Sequence, residues 1–259
     1  MSLVRRSLKI AKSEGVDRLL LLIIRLLSYN LRYHRYIGRL PHPVSRIIFN
    51  ATMICVRLFI KAGSYLSSKK YTDADPYKIL FIDPKRIRLR TCEAARRRGW
   101  VENGSWDQNE VTFWSRSVPK AICEKYTNEY SWQETAISDI DQRKKIENLY
   151  SSIKTGGYKS QHQLLAESPD LAWGGLNDAM HPLANEIAID IGRNGELLWN
   201  MCGQHRLAIA KVLDVEQVPV QVFRRHTEWQ EIRNKLRRGE SIPEELHNHP
   251  DLQDLLNEQ

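Results

Sequence analysis

Asn185-Glu186-Ile187-Ala188-Ile189-Asp190-Ile191-Gly192-Arg193-Asn194-Gly195-Glu196-Leu197-Leu198-Trp199-Asn200-Met201-Cys202-Gly203-Gln204-His205-Arg206-Leu207-Ala208-Ile209-Ala210-Lys211 is the stretch that decides the fold. Ile187, Ile189 and Ile191 recur with the period of two expected of a half-buried strand. Asn194-Gly195 supplies residues suited to the positive backbone angles of a tight hairpin, and Leu197 to Met201 reads as the returning strand. Gly203 falls where that strand must turn into a helix, which starts near Gln204 and continues through Ala208, Ile209, Ala210 and Leu213.

A helix beginning there offers backbone amides with no intrahelical acceptor and the positive end of its dipole, and glycine lets a ligand approach closely. An anion suits such a place. His205 and Arg206 in the first turn add side-chain donors, and a guanidinium can grip two phosphate oxygens in its plane. Taken singly, these residues have plainer uses: His205 would cap or pack locally, and Arg206 would pair with a carboxylate.

The order strand, Gly203-Gln204-His205-Arg206, helix resembles the ParB/sulfiredoxin superfamily, whose members carry Gly-x-(His or Arg)-Arg between a strand and a helix. The similarity continues into Val218-Pro219-Val220-Gln221-Val222 as the next strand and into Ile79 to Ile87 as the opening strand, with an insertion near residues 92–135. The resemblance implies a ParB/sulfiredoxin-like α/β domain with a mixed sheet. It further implies that Gly203, Gln204, His205 and Arg206 hold the phosphates of ATP or another nucleotide, with Mg²⁺. Two departures narrow what is carried over. Sulfiredoxins place a catalytic cysteine where Gln204 stands here, and Cys202, lying before the glycine, does not inherit that role. Partition proteins follow the motif with a helix-turn-helix domain, for which too few residues remain after Arg233.

Phosphoryl transfer to a hydroxyl needs a carboxylate near the acceptor. Asp107, in the turn Gly104-Ser105-Trp106-Asp107, and Glu186 are the two candidates. Trp106, Trp114, Trp132, Tyr126 and Tyr130 lie close in sequence to Asp107, Glu110, Glu129 and Glu134, a composition that suits either a sugar pocket or ordinary core. Lys159 to His162, after a helix expected over Ile140 to Ile153 and ended by Gly156-Gly157, suits a phosphate contact or a solvated loop. Arg225 and His226 could support the phosphate site from a strand end; a solvent-facing basic turn is the plainer reading. His247 and His249 are too few for a metal site.

The net charge of +8 is unevenly spread. Residues 1–70 hold fourteen Lys or Arg against Glu14 and Asp17, which leaves 25 bases and 29 acids in the remainder. Val16 to Tyr36 reads as one helix with Arg18, Arg25 and Arg32 on one stripe among leucines, and a second apolar helix is expected from Ser45 to Ala62. Each contains an arginine, so neither supplies an uninterrupted spanning segment. An anionic membrane surface engaged through residues 16–62 and a hairpin packed on the domain are equally good accounts. Nucleic acid is a weaker one, because leucines neither stack on bases nor read them. The four cysteines show no metal or disulfide spacing, which suits reduced thiols in the cytoplasm.

The organisation expected is a basic amphipathic segment at 1–70, a linker at 71–76, the α/β domain at 77–235 and a polar tail at 236–259. The leading functional expectation is a kinase-like phosphotransferase acting on a hydroxyl of a small molecule or glycan precursor, cytoplasmic and peripheral at the inner face of the cell membrane. A nucleotide-dependent switch at a membrane surface and a ParB-like nucleic-acid-binding protein or nuclease are the alternatives.

Overall fold

The computed structural model describes residues 42–88, 98–108, 140–174, 182–200 and 202–257. The expected helix at 16–36 lies outside the described residues, as do Trp114, Tyr126, Tyr130, Trp132, Glu110, Glu129 and Glu134. The chain divides into two compact units, Met1–Thr52 with Ala179–His181, and Met53–Asp178 with Pro182–Gln259. Of the first unit only the opening turns of helix α1 (His42–Leu66) are described.

The second unit continues through β1 (Ile79–Ile82), β2 (Trp100–Glu102), α2 (Ile140–Gly156), α3 (Gln161–Glu167), α4 (Pro169–Gly174), β3 (Ile187–Ile191) and β4 (Leu197–Trp199). It closes with α5 (Gln204–Val212), β5 (Val218–His226), α6 (Thr227–Arg237) and α7 (Gln253–Leu256). The five strands form one mixed sheet in the order β1-β5-β3-β4, with β2 also on β5. β5 is the axis: antiparallel to β1, with Ile79 opposite Gln221, and parallel both to β3, with Ile187 opposite Val220, and to β2, with Trp100 opposite Arg224.

Every residue of β3 is buried, where alternation had suggested a half-buried strand. The cause lies on the second face. Ile187, Ile189 and Ile191 join Trp199, Leu207 and Trp229 in the main core, while Asp190 is bonded by the buried side chains of Asn200 and Arg224. In the β3–β4 hairpin only Gly195 takes a positive φ, of 83°; Asn194 does not. A Cβ on Gly195 would meet the Trp229 ring at 2.7 Å, so this turn needs glycine for conformation and for space.

Three boundaries differ from the sequence expectation, each because a side chain finds a buried partner. Arg224, Arg225 and His226 belong to β5 and are 3%, 3% and 0% exposed, so they form no solvent-facing turn. The stretch at 71–76 is pinned to the domain: Tyr71 is buried between Phe59 and Trp100, and Thr72 donates its amide to Gly99 O at 3.0 Å. The polar C-terminal stretch contributes Leu252 to the main core and buries His249 and Asp251.

Candidate functional site

Gly203 is the N-cap of α5, at φ 74° and ψ 23° in the left-handed region. No side chain caps this helix start. A Cβ at Gly203 would come within 2.9 Å of the Ile187 Cα, so the glycine seats the turn directly on β3. Leu207, Ala208, Ile209 and Ala210 are fully buried and hold α5 against the sheet and against Ile153 of α2. The local rule is simple: a small residue where backbone meets backbone, then an apolar face that anchors the helix whose amides open at the turn.

Arg206 and Glu186, both singled out from sequence, come together. Arg206 is 9% exposed; its Nη1 lies 3.3 Å from Glu186 Oε2 and its Nη2 donates to the Asn185 carbonyl. Glu186 is 1% exposed, and its other oxygen accepts from the Gln161 amide at 2.6 Å, at the start of α3. Burial raises the Glu186 pKa, against the pull of Arg206 and the Gln161 amide. Tyr158 beside them is pushed up to about 12, again by burial, with Arg206 opposing. Burial lowers the pKa of His205, which favours its neutral imidazole. Of Gln204 only the backbone, as the first residue of α5, is described. Lys159 pairs with Glu167 at 2.6 Å, and Ser160 forms a reciprocal capping box with Gln163, so this stretch starts a helix.

Asp107 sits in a different cluster. Arg193 encloses it: the backbone amide and Nε donate to Oδ2 at 2.9 Å each, and Nη2 donates to Oδ1 at 2.8 Å. Burial alone would raise this carboxyl, but the Arg193 hydrogen bonds overcome it and hold the pKa at about 2. Such a carboxylate is a clamp for the β3–β4 hairpin and a poor base. His226 closes the same corner. Its Nδ1 accepts the Glu228 amide at 3.2 Å, which assigns the proton to Nε2, where it is donated to Gly104 O at 2.9 Å.

Arg225 points into a third cluster, donating to Asp251 at 2.9 and 2.5 Å. Arg233 of α6, 0% exposed, bonds Asp73, Asp254 and the Asp251 carbonyl. The bonds of Arg225 and His226 therefore run to Asp251 and to the Gly104 carbonyl, not to the residues around Arg206.

Sequence reading missed two groups, Asp190 and Arg98. Asp190 accepts from Arg224 Nε at 2.7 Å and from Asn200 at 2.6 Å, and burial raises its pKa to about 6 despite those donors. Arg98 lies over the rings of Tyr77 and Phe223 at 5.0 and 4.5 Å and donates to Gln221 Oε1. Burial lowers its pKa, while Tyr77 and Cys202, the residue preceding Gly203, act to raise it. The only sequence signal for either of these was an acid at an inward position of an isoleucine strand.

The fold and the site thus define a mixed α/β protein built on a five-stranded mixed sheet, with a glycine-started helix leaving the end of β4. Comparison with protein-family models, with curated proteins and with solved structures finds no match to this chain.

Proposed function

We propose that the protein is a nucleotide-binding protein of the ParB/sulfiredoxin-like kind, in which the turn at Gly203 to Arg206 receives the phosphates. The observation that carries this reading is the start of α5: a glycine in the left-handed conformation, no side-chain cap, and an arginine in the first turn. Amides at positions 204–206 would meet phosphate oxygens directly. Arg206 would exchange its 3.3 Å contact with Glu186 for the stronger charge-assisted grip of a polyphosphate. Mg²⁺ enters as the ion carried on those phosphates.

The geometry supports binding further than it supports transfer. Phosphorylation of a hydroxyl on a small molecule or glycan precursor calls for a base. Asp107 is fully occupied by Arg193, which leaves Glu186, whose raised pKa and release on Arg206 movement would suit the role. Kinase-type transfer therefore belongs to the proposal as a consequence of phosphate entry. A peripheral position on an anionic membrane is its second part, with α1 as the surface.

A thermal-shift panel of nucleotides with and without Mg²⁺ tests the site. Saturation to about 100 times Kd adds roughly 2.7 kcal/mol to a native-state-selective complex, and for a chain of this size that is a rise of roughly 5–10 °C. Arg206→Ala lowers the starting Tm, because Glu186 is left buried without its cation. The quantity read is therefore the nucleotide-dependent increment. It should vanish or shrink severalfold in the variant; no increment in the parent, or the same increment in both, overturns the reading.

A further inference from the structure

We infer that the C-terminal half of α1, together with the cleft beside it, is a docking surface for the phosphate headgroups of an anionic lipid bilayer. This deepens the peripheral part of the functional reading and is independent of nucleotide binding at Gly203.

Ile54, Leu58, Lys61 and Tyr65 stand at i, i+4, i+7 and i+11, which places them on one face of the helix. That face is open: Ile54 is 55% exposed, Leu58 64% and Tyr65 74%, and Leu66 beside them is 89% exposed. A face turned to water for its own sake would be polar. This one carries two aliphatic side chains, a tyrosine whose apolar ring ends in a polar tip, and a lysine whose long stem can lie along apolar surface while its ammonium reaches the headgroups. No helix among the described residues is long and apolar enough to cross a membrane, so the contact proposed is lateral.

Lys61 and Tyr65 also line a cleft of about 420 Å³ between α1 and the ends of α6 and α7. Its two acids are already neutralised from below. Asp73 accepts from Arg233 at 3.0 and 2.9 Å and from Gln230 at 2.6 Å, and Asp254 accepts from Arg233 at 3.1 and 2.7 Å with Lys78 at 3.8 Å. The cations on the rim, Lys61 and Arg237, form no ion pair among the described residues. Lys61 and Arg237 thus line the cleft without ion-pair partners among the described residues, whereas Asp73 and Asp254 beside them are already engaged by Arg233 and Lys78, which lie outside its lining. Leu236 and Leu255 supply an apolar floor. An exposed apolar helix face that leads to these two unpaired cations matches a lipid phosphate with its glycerol and acyl chains alongside.

The test is flotation of the full chain with vesicles of phosphatidylcholine, alone or mixed with phosphatidylglycerol, at low and high salt. Binding is expected only to the mixed vesicles and only at low salt. Each neutralised cation should weaken the partition roughly fivefold, so Lys61→Gln with Arg237→Gln loses roughly 25-fold, and Leu58→Gln lowers binding severalfold on its own. The variants' melting temperatures should stay within a few degrees of the parent's, since both cations and Leu58 are exposed. Failure of the parent to bind mixed vesicles overturns the proposal. Equal binding by the doubly neutralised protein also overturns it, and assigns attachment to the basic residues before α1. A dimer in solution that Leu58→Gln dissociates, with no vesicle binding, would give the face to a second copy. Arg206→Ala should float like the parent, which separates this result from the nucleotide test.

Discussion

Arg233 and Arg238 show how little a charge says until its surroundings are known. Both stand on or just beyond α6. Arg238 reaches Glu231 and Glu240 with about half of each side chain in water, and solvent screens such pairs so that they add little to stability. Arg233 is fully buried and holds Asp73, Asp251 and Asp254. Arg233→Met leaves those carboxylates without their shared cation, a loss of roughly 3–5 kcal/mol, while Arg238→Ala should leave the denaturation midpoint almost unchanged. Urea denaturation of the two variants checks the contrast. The same cluster sets an acid limit. Burial would raise Asp251, but Arg225 and Arg233 prevail and hold it at about 2. Its folded pKa lies below its unfolded one, so its contribution is complete above about pH 4 and is lost as pH falls toward 2. Asp251→Asn should flatten the stability profile in that window; an unchanged slope would contradict the pairing.

At the scale of elements, two glycines with nearly the same backbone angle separate conformation from space. Gly157, after α2, has φ 75° and open surroundings; Gly203, before α5, has φ 74° and Ile187 backbone 2.9 Å from where a Cβ would stand. Gly157→Ala should cost only the left-handed term, roughly 1–2 kcal/mol. Gly203→Ala adds overpacking of roughly 1–3 kcal/mol, read as a lower denaturation midpoint; equal effects would mean that the turn is not seated on β3. Here the sequence was legible in part. The strand, hairpin and helix from Ile187 to Leu213 follow from periodicity and turn residues, and so does a helix around Ser45 to Ala62. The extension of β5 through Arg224-Arg225-His226 does not follow, because two arginines and a histidine resemble a solvated turn until Asp190, Asp251 and the Gly104 carbonyl are seen to receive them. The pairing of Arg206 with Glu186 was within reach as the plainer use of an arginine. That the partner would be Glu186 requires knowing that the residues before β3 lie beside α5.

The second unit as a whole is closed by its C-terminal stretch, although that stretch is polar in sequence. Leu252 completes the main core, the His249 ring lies tilted 4.3 Å from that of Trp229 and holds the Gly195 carbonyl, and Asp251 anchors Arg225. A chain ending at Glu240 should therefore lose cooperative unfolding, checked by calorimetry; a sharp transition within a few degrees of the parent would contradict this account of the core. The buried arginines of this unit are matched by carboxylates: Arg224 by Asp190, Arg225 by Asp251 and Arg233 by Asp73.

The central claim is that the amides opening α5 are where a nucleotide's phosphates sit, and it is tested most directly by following backbone amide resonances during titration with Mg²⁺-nucleotide. The account predicts the largest shifts at Gly203, Gln204, His205 and Arg206, with a smaller response at Gln161 as Glu186 loses its contact with Arg206. Saturating nucleotide that leaves those amides in place, or that moves only residues remote from the turn, would contradict it.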